Sequence, residues 1–332
     1  MSRRRQRTLS IRTQVVGTAA QLLPGPTYLG ACDASAAVDL GGTRFVVASD
    51  EPCSDGTQVL HVYERDYPRP LTTVPLEDVL GPTAGREVDL EAAVRVDTRV
   101  YWLSSHGHDA DGRRDPARCR FFATDLVDGR VRPCGEAYGR LLHDMGKAPE
   151  LAVLGLRAAD RERRAPKEGG FNIEGLTARP DGALLIGLRS PLYRKRAVLV
   201  PLLNPDAVIE GRERARFEPP VLLDLDGNGI RDLAWDASRR VYFVLGGASR
   251  RGHGRALYAW SGRAEEAPLP VAATIPADFN AEALLVDAGT GYVRVFADDG
   301  ARVIETREGE RRPNKEAGDA RRSFRSLWLV PA

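Results

Sequence analysis

Residues 229–247, GIRDLAWDASRRVYFVLGG, contain a short apolar strand, a polar turn and a second apolar strand. The turn uses Asp236-Ala237-Ser238, and these are residue types that favour turn dihedral angles. Four other segments repeat this pattern. They are DASAAVDLGGTRFVVASDE (33–51), DLEAAVRVDTRVYWLSSHG (89–107), NIEGLTARPDGALLIGLRSP (172–191) and NAEALLVDAGTGYVRVFADDG (280–300). The chain is therefore built from repeats of a strand–turn–strand unit.

A third apolar strand follows each pair, and a weaker fourth strand follows most of them. The third strands are predicted at 58–65, 118–126, 196–203, 255–262 and 324–332, and the fourth at 71–77, 129–135, 220–225 and 268–274. The last repeat lacks a fourth strand, and we expect LSIRTQVVG (9–17) to supply it. Radial repetition of such units protects the edges of many short strands. The sequence thus predicts an all-β fold, a β-propeller with five four-stranded blades, with six blades as the alternative.

The repeats start about 50–60 residues apart, except for one longer step between 89 and 172. That step contains an insertion around 136–168. Its first part has the period of a helix, and its charged second part, 157–170, is predicted to be an exposed loop. A doubly wound α/β fold would need a helix between successive strands, whereas the gaps here are turns. We therefore expect one propeller domain over 1–332, with a basic tail at 1–8.

Composition excludes several classes of protein. The chain is 42% hydrophobic and has a net charge of +2, from 48 basic and 46 acidic residues, so it lacks the positive field of a nucleic-acid-binding protein. It has no apolar run of about 18 residues, so no membrane-spanning helix is predicted. We expect no signal peptide, because the basic N-terminus lacks an apolar segment. Four cysteines fit no zinc spacing, and we expect reduced thiols in the cytoplasm.

The innermost strand of each blade would line a central channel. If the first strand of every repeat is innermost, the first and third residues of the repeats meet at one channel mouth. These residues are Asp33, Asp89, Asn172, Gly229 and Asn280, followed by Ser35, Glu91, Glu174, Arg231 and Glu282; the ends of the second strands add Asp50 and Glu51. Carboxylates so close cannot all ionise freely. Either Arg231 or a bound Ca²⁺ or Mg²⁺, held by Glu91, Glu174 and Glu282, would relieve the repulsion.

The segment DLDGNGIRD (224–232) offers a second candidate metal site. Its oxygen-bearing side chains follow the spacing of a calcium loop and are Asp224, Asp226, Asn228 and Asp232. An EF-hand is excluded, because Trp235 stands where the bidentate glutamate is required and no helices flank the loop. The spacing resembles the DxDGxGxxD loops of integrin-type propellers. The alternative is an ordinary connection between two blades, with Arg231 in the position of the glutamates in other repeats.

Four further residues could carry acid–base or anion-binding chemistry at the mouth. These are His106, Lys167, Glu168 and Arg189. A lysine–glutamate or histidine–glutamate pair suits general acid–base catalysis. The sequence contains no GxSxG, HExxH, P-loop or GxGxxG motif that would indicate a familiar enzyme. The alternative is that the polar residues satisfy one another around a wet channel.

Several stretches resemble the bacterial domain of unknown function 3616 family. They are the segment at 33–51, EVDLEAAVRV, YWLSSHGHDADG, RFFATD, APKEGGFNIEGLTARPDGALLIGLRSPL, LVPLLNPDAVI and DLDGNGIRDLAWD, and they cover most of residues 30–300. The block at 165–192 is the most specific of them. The resemblance implies a β-propeller, and it implies no particular activity.

The stretch NIEGLTARPDG is also similar to strand starts in phytase-type esterase-like and gluconolactonase-like propellers. In those families a glutamate at the start of an inner strand can hold a divalent metal. By position, the resemblance implies that role for Glu174 and, less directly, for Glu91 and Glu282. This chain departs from the expected DLEG by having Ala92.

Two functions follow from these expectations. The first is a cytoplasmic module that binds a protein partner or a small anionic ligand, with a divalent cation in its polar channel. The second is a metal-dependent hydrolase of a phosphoester, lactone or ester. In the hydrolase, Glu91, Glu174, Glu282 and Asn172 hold the metal, Lys167 or His106 acts as acid or base, and Arg189 binds the substrate. We prefer the binding module, because the sequence contains no unambiguous nucleophile–base pair.

Overall fold

The computed structural model describes residues 20–81, 86–162, 169–249, 254–305 and 309–331. Its strands, in chain order, are β1 (Ala20–Pro24), β2 (Tyr28–Leu29), β3 (Ala36–Gly41), β4 (Arg44–Ala48), β5 (Val59–Glu64), β6 (Tyr67–Pro75), β7 (Leu90–Val96), β8 (Arg99–Ser104), β9 (Phe121–Val127), β10 (Arg130–Tyr138), β11 (Asn172–Ala178), β12 (Leu184–Tyr193), β13 (Arg196–Leu202), β14 (Val221–Leu223), β15 (Gly229–Asp236), β16 (Val241–Gly247), β17 (Arg255–Trp260), β18 (Leu269–Pro270), β19 (Ala281–Val286), β20 (Val293–Ala297), β21 (Val303–Glu305), β22 (Arg311–Pro313), β23 (Ser323–Phe324) and β24 (Ser326–Pro331). The α-helices are α1 (Glu77–Leu80), α2 (Leu141–Met145), α3 (Leu156–Arg161) and α4 (Pro205–Ile209).

Twenty of these strands form five antiparallel sheets of four strands each. Blades 1 to 4 are β3–β6, β7–β10, β11–β14 and β15–β18, and blade 5 has the strand order β19, β20, β24, β1. The first strand of each blade contacts the first strands of both neighbouring blades, which closes the ring β3, β7, β11, β15, β19. The protein is therefore a five-bladed β-propeller, as the repeats predicted, and the six-bladed alternative is wrong.

The hydrophobic core is divided into five clusters, and each cluster lies between two adjacent blades. Central strands are consequently buried on both faces. All seven residues of β16 are buried, for example. This is why these strands have continuous apolar sequences rather than a polar–apolar alternation.

The N-terminal strand β1 closes the ring by pairing antiparallel with β24 in blade 5. The expected closure by an N-terminal strand is confirmed, but the strand lies at Ala20–Pro24 rather than at 9–17. Residues 9–17 and the basic tail at 1–8 lie outside the described residues.

The seam between blades 5 and 1 contains a buried cation. The Arg294 guanidinium lies 4.4 Å from the ring centre of Phe45 and 4.7 Å from that of Trp328, and it donates a hydrogen bond to the Tyr28 hydroxyl. Such cation–aromatic contacts stabilise a desolvated guanidinium. The Arg65–Asp287 ion pair, at 2.6 Å, joins the same two blades near the surface.

The insertion between blades 2 and 3 contains the helix that its periodicity predicted. In α2, Leu141, Leu142 and Met145 are buried in the cluster between these blades. The second part is helical rather than a loop at its start, because α3 extends to Arg161. Residues 157–162 are exposed or half-buried, as predicted. Residues 163–168 of the insertion lie outside the described residues.

None of the helices in the described part of the chain is long and apolar enough to cross a membrane. All four cysteines, Cys32, Cys53, Cys119 and Cys134, are free thiols.

Candidate functional site: the channel mouth

The five inner strands bring the predicted polar residues to one end of the channel. Arg231 of blade 4 lies between Glu174 of blade 3 and Glu282 of blade 5. Its Nη1 lies 2.5 Å from Glu174 Oε2, and its Nη2 donates to Glu282 Oε1. Burial alone would lower the pKa of Arg231, but the two carboxylates outweigh burial and raise it. Arg231 is therefore charged and bridges three blades.

The carboxylate of Glu174 has two further partners. Arg189 Nη1 donates to Glu174 Oε1 at 2.8 Å, and Asn172 Nδ2 donates to the same oxygen at 2.6 Å. The Nε of Arg189 donates to the Ala248 carbonyl at 3.3 Å. Burial raises the pKa of Glu174 above its ordinary value, and the charges of Arg231 and Arg189 offset only part of that rise. This side of the mouth has its charges closely matched.

Blade 4 adds a third arginine, Arg255 of β17, to this network. Arg255 Nη2 donates to Asn280 Oδ1 at 2.7 Å and lies 3.5 Å from Glu282 Oε1. Asn280 Nδ2 donates in turn to Asp298 Oδ2 at 2.9 Å. Burial, together with the charges of Glu282 and Asp33, raises the pKa of Asp298 to about 7. A carboxyl group of this kind takes up a proton near neutral pH.

In blade 1, Asp33 is hydrogen-bonded to the neighbouring ends of β3 and β4. It accepts hydrogen bonds from Ser49 Oγ at 2.6 Å, Ser35 Oγ at 3.1 Å and the Asp50 backbone N–H at 3.0 Å. Glu51 lies at the rim, where Lys315 Nζ donates to it at 2.7 Å. Asp33 and Glu51 therefore already have protein partners.

Asp50 and Glu91 are in a different electrostatic position. Burial, and then the charges of Asp33 and Asp298, raise the pKa of Asp50 well above its ordinary value. The pKa of Glu91 is also well above its ordinary value, through burial and the charges of Glu174 and Asp89. Like charges thus accumulate where blades 1 and 2 meet.

Three carboxylates at this place could share one cation. Oxygens of Asp50, Glu87 and Asp89 all lie within 4.8 Å of one another. Arg118 contacts two of them, with Nη1 2.8 Å from Asp89 Oδ2 and Nη2 2.7 Å from Glu87 Oε2. Burial and the charge of Asp89 raise the pKa of Glu87 to about 7. We call Asp50, Glu87 and Asp89 the acidic trio.

Sequence reasoning missed Glu87 and Arg118. A signal for Glu87 was present, because Glu87, Asp89 and Glu91 alternate at the period of a strand and so share one face. No comparable signal indicated Arg118, which ends the 3₁₀ turn Pro116–Arg118 before β9. Only the pairing of β8 with β9 brings it to the mouth.

The calcium-like loop is arranged differently from the acidic trio. Asp232 is buried and accepts hydrogen bonds from the backbone N–H groups of Leu233 at 2.7 Å and Leu284 at 2.6 Å. Asp224 and Asp226 are exposed, and Asp226 accepts from the Tyr258 hydroxyl at 3.2 Å. Within the described residues, the trio forms a group of carboxylates close enough to share an ion, and the three carboxylates of this loop do not. The loop connects β14 to β15, as the blade interpretation predicted.

The acid–base candidates are spread over several environments. His106 is buried, and its Nδ1 lies 2.9 Å from the Ser104 carbonyl oxygen. Arg189 is engaged by Glu174. Lys167 and Glu168 lie outside the described residues.

Replacement of His106 by asparagine is expected to make the protein less sensitive to acid. Burial lowers the pKa of His106 to about 4, below that of an unfolded histidine, so stability is lost as the pH falls from about 6.5 to 4. The wild type should therefore lose about 2 kcal/mol more than His106→Asn between pH 7 and pH 5. Asparagine suits this position, because His106 has φ 55°.

Urea denaturation at a series of pH values would measure the difference. His143→Gln is the control, because His143 lies on the surface of α2. Parallel stability–pH curves for the wild type and His106→Asn would contradict a buried neutral imidazole.

Residues 163–278 match the family model described as a protein of unknown function (DUF3616). The resemblance seen in the sequence is confirmed for this part of the chain, which includes the whole of the 165–192 block. The description of the family assigns it no activity. No curated protein matches the chain.

Solved structures similar to this chain include several enzymes. Glutaminyl cyclase from Myxococcus xanthus has 11% identity and a TM-score of 0.45, over 94% of this chain and 99% of that one. A luciferin-regenerating enzyme has 8% identity and a TM-score of 0.40, over 93% and 77%. A GH43_1 enzyme from Xanthomonas citri has 11% identity and a TM-score of 0.43, over 92% and 95%. At these scores the similarities carry no argument about the activity, ligand or partners of this chain.

Proposed function

We propose that the protein is a ligand-binding β-propeller whose channel mouth takes a divalent cation at the acidic trio. The observation that carries this proposal is the convergence of Asp50, Glu87 and Asp89 within 4.8 Å. The trio and Glu91 together bring four carboxylates to the junction of blades 1 and 2, where Arg118 contacts Glu87 and Asp89. An added divalent charge would offset much of the remaining repulsion.

The chemistry of the donors favours a hard cation. Ca²⁺ binds six to eight oxygens in a flexible geometry, and Mg²⁺ prefers carboxylates together with water. Three carboxylates from two blades supply only part of either shell. The remaining positions would face the channel, where water or an oxygen-bearing ligand could complete them.

A second observation on blade 3 supports a ligand at this mouth. The Asn172 side chain is 1% exposed, and among the described residues its Oδ1 has no hydrogen-bond partner. Its Nδ2 bonds to Glu174, which places the amide on the channel side of β11. The next residue, Ile173, donates its N–H to the Ser105 carbonyl at 2.9 Å, and the Ser105 hydroxyl donates to Asp89. A buried acceptor of this kind calls for a cation or a donor group.

Asp50→Asn is expected to weaken cation binding by about tenfold or more, because it removes one of three anionic ligands. The protein would be dialysed against a chelator and then titrated with Mn²⁺, with free Mn²⁺ measured by electron paramagnetic resonance. Ca²⁺ and Mg²⁺ would be tested as competitors. Saturating cation should also stabilise the wild type, by about 2.7 kcal/mol at one hundred times the dissociation constant.

Glu136→Gln is the matched control, since Glu136 is an exposed carboxylate on β10, the outermost strand of blade 2. It removes the same charge from the neighbouring blade, at a position away from the mouth. A wild type that binds none of the three cations saturably would overturn the proposal. Equal loss of affinity in Asp50→Asn and Glu136→Gln would show that only net charge matters.

The hydrolase is not better supported than the binding module. Arg189 is held by Glu174, and Glu174 and Glu282 are both bound to Arg231. The buried His106 is neutral near pH 7, because burial lowers its pKa to about 4. The cytoplasmic location and a protein partner stay predictions.

A further inference from the structure

We infer that Arg118 is a built-in counter-ion of the acidic trio and sets its affinity by competing with the incoming cation. This inference rests on the proposed function. It concerns a different property of the site, namely how tightly an ion is held. The guanidinium, rather than a fourth ligand, is the group that decides this.

The geometry of Arg118 is that of a bridge between two carboxylates. Nη1 lies 2.8 Å from Asp89 Oδ2, and Nη2 lies 2.7 Å from Glu87 Oε2. The Arg118 side chain is 12% exposed. One planar guanidinium thus engages two of the three candidate ligands, with charge-assisted hydrogen bonds.

The backbone of Arg118 is held on both sides by hydrogen bonds. The His106 N–H donates to the Arg118 carbonyl at 2.9 Å, and the Arg118 N–H donates to the Asp115 carbonyl at 3.1 Å. Asp115 also caps the 3₁₀ turn that ends at Arg118. The fold therefore fixes the backbone position from which the Arg118 side chain reaches Glu87 and Asp89.

A cation bound by the trio would lie a few ångströms from this guanidinium. Ca²⁺ binds oxygens at about 2.3–2.6 Å, so it would share Glu87 and Asp89 with Arg118. Two positive groups at that distance repel each other strongly in a partly desolvated site. Either the contacts of Arg118 with Glu87 and Asp89 break when the ion binds, or the ion binds close to the positive guanidinium. Both outcomes weaken cation binding.

Arg118 also has a role in the protein without an ion. It supplies positive charge to two carboxylates that otherwise face Asp50 and Glu91. Removing it should therefore destabilise the ion-free protein and strengthen ion binding. A residue that only supports the fold would not give these opposite effects.

The test is the variant Arg118→Met, which keeps an unbranched apolar stem and removes the charged guanidinium. Mn²⁺ binding, measured on the full chain after chelator treatment, should become at least about tenfold tighter than in the wild type. The melting temperature without cation should fall. Saturating Ca²⁺ should recover most of that loss.

Arg120→Met is the matched control, because Arg120 precedes β9 and donates to the Pro116 and Cys119 carbonyls rather than to a carboxylate. Its cation affinity should equal that of the wild type. If the methionine variant does not fold, Arg118→Lys replaces it. Lysine keeps the charge but lacks the fork that engages two carboxylates, so we expect an affinity above that of the wild type.

Unchanged or weaker binding in Arg118→Met, with clear binding by the wild type, would overturn the inference and leave the proposed function standing. The same holds for Arg118→Lys if it is the variant that folds. If neither the wild type nor the variants bind cation, the proposed function has failed as well.

Discussion

Arg231→Met is expected to lower the free energy of unfolding by about 3–5 kcal/mol at neutral pH. Arg231 is buried and lies against both Glu174 and Glu282. Methionine would fill much of the same volume but leave two buried carboxylates facing each other. Removing one partner of a buried ion network costs far more stability than replacing all its members with uncharged residues. Urea denaturation monitored by tryptophan fluorescence would measure the loss.

Two comparisons make this test specific. The triple variant Arg231→Met, Glu174→Gln, Glu282→Gln removes all three charges and should recover most of the stability. Arg239→Met is the control, since Arg239 pairs with Asp236 on the same blade but is only half-buried. It should cost no more than about 1 kcal/mol. If Arg231→Met and Arg239→Met lowered the free energy of unfolding by the same small amount, Arg231 would not be the group that neutralises Glu174 and Glu282.

Gly229→Ala is expected to cost more than about 3 kcal/mol or to prevent folding. A Cβ at this position would lie 1.9 Å from the Arg189 carbonyl oxygen and 2.7 Å from its carbon. Both are backbone atoms of β12, so no side-chain rotation can relieve the clash. Blades 3 and 4 would have to separate at the mouth, where Arg189 also holds Glu174. Thermal denaturation followed by circular dichroism would measure the effect.

Gly318→Ala is the matched control for this substitution. An added Cβ at Gly318 has no atom within 4 Å, and the residue has φ −63°. The melting temperature of the Gly318→Ala variant should stay close to that of the wild type. A Gly229→Ala protein with a stability within about 1 kcal/mol of the wild type would mean that the two blades do not approach so closely.

The architecture was predictable because its signals are local. Each blade begins with two apolar strands joined by a short turn, and these five units can be aligned without knowing how they pack. The boundaries of the outer strands were less predictable. β18 is only Leu269–Pro270, and proline cannot donate to the ladder.

The sequence predicted where the site lies, but it did not predict which charged residues form ion pairs there. Repeat positions correctly brought Glu174, Arg231 and Glu282 together, because equivalent positions in a ring meet at its axis. Which carboxylate would lack a partner depends on residues from other strands. Arg118 reaches Asp89 from the start of β9, and its own sequence context contains nothing that indicates this.

Closure of the ring by β1 has a consequence for the order of folding. The Ser326 hydroxyl donates to the Pro26 carbonyl across 300 positions of the sequence. At ribosomal rates of about 5–20 residues per second, β1 must wait about 15–60 s for its partner β24 to be made. During that time the hydrogen-bonding edge of β1 is free to pair with other chains. Blades 1 to 4 can form as they emerge, whereas the junction of blades 5 and 1, with its buried Arg294, can assemble only after β24 has been made.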